Sequence, residues 1–198
     1  MTDRSDFRYV VRSGAKVGLV TAAGVALFLV LNRFLPEVGM ARQWVLALVV
    51  LAVAVPVALW PGQLVGARTV EGVAGAAAVG LLGTVAFMVV DIVLLRPFRA
   101  YPWTWDAVGG NSTWWYLPIW WMLGTFCAWM GGLVIAQRHA RGTPTLLSLA
   151  VPPLLGGVVV ALAAAVSGIA VALPVAAGAG FLVTLTQMAV VGLAFRRA

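Results

Sequence analysis

Long apolar runs separated by short polar breaks dominate the chain, and their lengths predict membrane-spanning helices. A span needs roughly 20 apolar residues. The first run ends near Phe34 and predicts a span over 15–34. Leu35, Pro36, Glu37 and Gly39 form a break, and a second run predicts a span over 43–60. Trp44 and Trp60 sit near its two ends as interfacial anchors, and Pro61-Gly62 supplies turn chemistry. The third span is expected over 70–95, opened by Arg68 and Glu71 and closed by Arg96 and Arg99. A fourth is expected over 112–136, followed by a polar loop over 137–144. The remaining apolar stretch is too long for one crossing and suits two, over 146–166 and 170–195, with the turn near Ser167-Gly168. A re-entrant segment is the alternative there, because no charge marks the turn. The fold class is therefore an all-α polytopic bundle, six helices in a single membrane domain.

Composition removes other classes. The chain of 198 residues is 63% hydrophobic and 10% charged, far from the balance of a soluble domain. The first apolar run is long for a cleaved secretory leader and reads as an uncleaved span. The net charge of +7 is spread over the ends of apolar runs and forms no basic face, so it speaks for orientation and against nucleic-acid binding. Six spans place both termini on one side. Arg4, Arg8, Arg12, Lys16, Arg68, Arg138, Arg141, Arg196 and Arg197 fall on that side, against Arg33, Arg42, Arg96 and Arg99 on the other. The positive-inside bias puts both termini in the cytoplasm of a bacterial inner membrane; a five-span count would carry the terminal Arg pair outside.

The most distinctive stretch is YPWTWDAVGGNSTWWYLPIWWMLGTFCAW, residues 101–129, which holds seven of the nine tryptophans. It begins as a polar loop, with residues 96–112 expected outside, and continues into the fourth helix. Tryptophan favours the membrane–water boundary, but the cluster is denser than anchoring requires. Trp103, Trp105, Asp106, Trp114, Trp115 and Trp121 are therefore candidates for contact with a partner. Asn111-Ser112-Thr113 matches a glycosylation acceptor, a chance match in a bacterial chain.

Polar residues inside spans are the other candidates. Helical spacing puts Gly72, Ala76, Gly80, Gly83 and Phe87 on one face of the third span, with Asp91 at its edge. Asp91 reads either as a contact for an ion or ligand, or as a boundary carboxylate paired with Arg96, Arg99 or a loop amide. Gly180, Thr184 and Gln187 form a stripe on the sixth span, read as a path lining or as interhelical hydrogen bonding. In the first span Gly14, Gly18, Thr21, Val25 and Asn32 share a packing seam. Pro152-Pro153 predicts a kink in the fifth.

One cysteine and one histidine exclude a disulfide within the chain and a His/Cys metal cluster, and no motif for a nucleophile–base pair, phosphate loop or haem is present. No cofactor or metal is expected, and catalysis is disfavoured. Two readings follow. The first is a non-catalytic integral subunit of a larger membrane complex, with the lipid bilayer and other membrane subunits as partners and a homo-oligomer also compatible. The second is a small transporter or channel component, with Asp91, Gly180, Thr184 and Gln187 along its path.

Overall fold

The computed structural model describes residues 6–36, 39–95, 97, 116–142 and 144–194. They form six helices long and apolar enough to cross a membrane, and no strand. The helices are α1 (Phe7–Phe34), α2 (Met40–Val65), α3 (Val70–Val90), α4 (Tyr116–His139), α5 (Leu146–Ser167) and α6 (Leu173–Ala194). A π-helical turn, Asp91–Leu95, extends α3. The protein is thus a multi-pass membrane protein with an all-α fold.

The second helix is the hub. It packs against all five others, while α1, α3 and α4 line one flank and the α5–α6 hairpin closes the other. Its length corrects one sequence expectation. Pro61-Gly62 does not end α2; the helix runs through both to Val65. Proline costs one backbone bond inside a helix, but Gly62 is where α2 meets α4. A Cβ at Gly62 would lie 2.8 Å from Ile135 Cδ1 and 3.1 Å from Gly132 Cα. The stop comes at Gly66, left-handed with φ 68°. Its N–H donates to the Gln63 carbonyl and that of Ala67 to the Gly62 carbonyl, the two bonds of a Schellman cap.

The fourth helix also outruns its expected end. Residues 137–139, expected in a loop, are helical, because Gln137 turns inward and finds a partner on α6. The break between α5 and α6 lies at Ser167-Gly168, with Gly168 at φ 69°. In α5 the helix stays helical through Pro152-Pro153.

Glycine seams join these helices. Gly14 and Gly18 of α1 face Leu82, Gly83 and Ala86 of α3. The predicted face of α3 divides between two neighbours: Gly83 meets Val17 and the Gly14 carbonyl of α1, and Gly80 meets Ala128 and Gly124 of α4. Gly124 receives the Thr84 side chain, and Gly131 abuts the Ala58 carbonyl of α2. On the other flank Gly156 of α5 abuts Thr184 and Gly180 of α6. In lipid, where burying apolar surface gains little, such close approach gives helices the van der Waals contact that holds them.

The two kinds of glycine should respond differently to a methyl group. Gly131→Ala drives a Cβ into the α2 backbone and should cost on the order of 1–3 kcal/mol. At Gly75 an added Cβ meets only Val65 side-chain atoms, at 3.6 Å or more, so Gly75→Ala should be neutral or stabilising by up to about 1 kcal/mol. Unfolding midpoints in detergent check this; equal shifts for the two variants would contradict the seam.

Candidate functional site

Polar and aromatic side chains collect at the two ends of the bundle. At the end opposite the α2–α3 turn, Asp91 is 2% exposed. It opens the π-helical turn, and its amide reaches back to the Phe87 and Met88 carbonyls. Its carboxyl group is not without a partner. An inserted residue of this kind re-aims the side chains that follow it, and such turns recur at functional positions. One turn before it, Phe87 meets Trp120 of α4 edge to face, with ring centres 6.0 Å apart and planes at 71°. At the same end of the bundle, Arg42 Nη2 donates to the Asn32 backbone carbonyl at 2.6 Å and to its Oδ1 at 2.7 Å. This ties α2's first turn to the end of α1 and gives Asn32 a specific role within its seam.

The start of α4 is unusual for a bundle helix. Of residues 118–123, all but Trp120 are exposed. Trp121 is 42% exposed and Met122 72%. Around the helix these exposed positions cover somewhat more than half of the circumference, and Trp120 holds the side turned to Phe87. Trp121 thus lies on an open surface. Trp103, Trp105, Asp106, Trp114 and Trp115 lie outside the described residues.

The stripe on α6 is not uniform. Gly180 is buried and Thr184 half-buried, both against Gly156 of α5, whereas Gln187 is exposed. Glycine at 180 serves closeness: a Cβ there would lie 2.6 Å from the Gly156 carbonyl oxygen. Buried polar or charged side chains among the described residues are Ser13, Thr84, Asp91 and Gln137. Thr84 donates to the Gly80 carbonyl of its own helix at 3.0 Å.

Sequence reasoning placed Gln137 in a loop and so missed it. Its Nε2 donates to the Ala189 carbonyl of α6 at 2.7 Å, and its amide fills the space left by Gly192. The signal was available in outline: a glutamine directly after an apolar run, with a glycine on another span at the same depth. Tyr9 makes a similar tie at this end, donating to the Leu64 carbonyl at 2.9 Å.

Two recesses open at this end, on either side of the last turns of α4. One, about 480 Å³, lies between α2, α4 and α5 and is lined by Gln63, Arg68, His139 and Pro144 among others. The second, about 350 Å³, runs between α3, α4 and α6 from Arg68 and Thr69 along Val73 and Leu133 to Trp129. Arg68 borders both and is exposed.

The Gln137 tie is testable. Gln137→Met keeps the length of the side chain and removes the donor. It should lower the stability of the purified protein by about 1 kcal/mol, the usual size of an interhelical hydrogen bond in a membrane. An unfolding midpoint equal to wild type would show that the bond carries no net stability.

Compared with known proteins, the chain matches no family model, no curated protein and no solved structure.

Proposed function

We propose that the protein is a non-catalytic integral subunit of a larger membrane assembly. The observation that carries this reading is the wide exposed face at the start of α4, where Pro118, Ile119, Trp121, Met122 and Leu123 are exposed and Trp120 turns to the bundle. That face carries Ile119, Trp121 and Met122, side chains of the kind that partner interfaces favour. It continues directly from the tryptophan-rich stretch over 101–115, so the two form one candidate contact region in sequence. The seams between helices are filled by backbone and small side chains, which suits a rigid scaffold. The excess of basic residues on the terminal side supports insertion in a bacterial cytoplasmic membrane with both termini inside.

The test is gentle extraction of tagged protein from its native membrane, followed by measurement of mass and composition. Foreign subunits in fixed stoichiometry are expected. The double variant Trp121→Ala with Met122→Ala should reduce their recovery by at least about tenfold, the scale of an interface hot spot, while the protein itself accumulates normally. A species containing this chain alone would overturn the reading.

A second reading, a transporter or channel component, is favoured by one observation: the buried carboxyl of Asp91 at a π-helical turn of a membrane span. Ionisable groups in that position are costly and often serve ion or proton movement. On this reading Asp91→Asn lowers flux in reconstituted vesicles by at least about tenfold, a barrier change of roughly 1.4 kcal/mol, without unfolding the protein. Undiminished flux would remove Asp91 from any mechanism.

A further inference from the structure

The recess between α3, α4 and α6 has the polarity profile of a lipid molecule. Its polar end is built from Arg68 and Thr69, just before α3, and from Gln137 in the last turns of α4. The rest of its wall is apolar: Val73 and Ala74 of α3, Leu133 and Trp129 of α4. Its volume of about 350 Å³ lies within the range of small-molecule clefts, about 300–1,000 Å³. Unlike an enzyme pocket it is a groove on the flank of the bundle, open to the bilayer side where Trp129 is 46% exposed.

Depth fixes the orientation of an occupant. Ten residues separate Trp129 from the end of α4 at His139, about 15 Å of helix rise. That is roughly half of a hydrocarbon core about 30 Å thick. Trp129 therefore lies near the membrane centre, too deep for the interfacial anchoring that usually explains an exposed tryptophan. Its flat ring forms the inner end of a groove whose outer end is at headgroup level.

Charge selects the headgroup. Arg68 is exposed, and among the described residues it has no ion-pair or hydrogen-bond partner. The nearest carboxylate in sequence, Glu71, is exposed in the first turn of α3. A guanidinium at this level matches a phosphate diester in geometry and charge, and basic sites between membrane helices hold anionic headgroups. Gln137 has its Nε2 committed to Ala189, so it shapes the polar wall and leaves the charge contact to Arg68.

We propose that this groove binds one anionic phospholipid of the surrounding bilayer, with its phosphate on Arg68 and an acyl chain lying along Val73, Leu133 and Trp129. The inference needs only the membrane-spanning fold and is independent of the subunit reading. A bound lipid here would join the start of α3 to the ends of α4 and α6, which Gln137 links to each other.

The experiment uses the full chain in mild detergent, titrated with phosphatidylglycerol or phosphatidylcholine of matched acyl chains. Retained lipid is read by native mass spectrometry and the unfolding midpoint is followed in parallel. Wild type should retain phosphatidylglycerol about fivefold better than phosphatidylcholine, the order expected of one arginine–headgroup contact. Arg68→Gln should abolish that preference, and Ala74→Phe, which fills the groove from an exposed position, should weaken both lipids. Arg33→Gln, exposed at the opposite end of the bundle, should leave the preference unchanged. Equal retention of the two lipids by wild type would overturn the proposal, as would a preference that survives Arg68→Gln or is lost equally in Arg33→Gln. Stabilisation by inorganic phosphate alone, with no further gain from the lipid, would also overturn it by showing a simple anion site.

Discussion

Close approach of helix backbones is the constraint on which the rest of the structure depends. At Gly131 the backbone of α4 lies against the Ala58 carbonyl of α2, at Gly18 that of α1 against the Gly83 carbonyl of α3, and at Gly180 that of α6 against the Gly156 carbonyl of α5. Inside a bilayer the hydrophobic effect has already been satisfied by insertion. What remains to choose one packing from many is the dispersion energy of well-fitted surfaces and a few interhelical hydrogen bonds. A missing side chain at each crossing makes that fit, and it makes it directional, since a helix rotated by one residue can present Leu19, Met130 or Phe181 instead.

The hub position of α2 follows from the same logic. It carries two prolines and a glycine in its interior, which would be poor choices for an isolated soluble helix. In lipid the backbone groups released by proline find neighbouring helices. Gly62 brings α4 in, and the side chains of Leu51 and Val53 pack into the space left by Gly157 of α5 and Gly24 of α1. The helix that all others touch thus keeps two prolines and a glycine inside an unbroken run from Met40 to Val65.

The polar residues divide by task. Gln137, Tyr9 and Arg42 each donate to a backbone carbonyl at the end of another helix. They act as staples where the glycine seams give out. Asp91, Arg68 and the exposed start of α4 are different in kind. The first is a buried carboxyl at a change of helix type, the second an exposed cation bordering two recesses, the third a helix segment with a wide exposed face. The bulk of the bundle holds these three places in position.

The sequence by itself determined the number of crossings, their approximate limits, the α5–α6 turn at Ser167-Gly168 and the small-residue faces. Insertion into lipid demands some 20 apolar residues in a row whatever their neighbours do, so those features are readable locally. Which helix each small face meets was not readable. Gly80 and Gly83 share a predicted face, yet one serves α4 and the other α1, because a face wide enough for two neighbours looks the same in sequence as one that serves a single neighbour. Gln137 could be seen only as a polar residue after an apolar run; its place inside the bundle depends on Ala189 and Gly192, more than fifty residues away. Pro61-Gly62 carried a correct local signal for a turn that the approach of α4 overrode. Tertiary structure decided these points, since in a membrane the partner of a glycine or a buried amide is set by three-dimensional fit, for which the chain carries no local code.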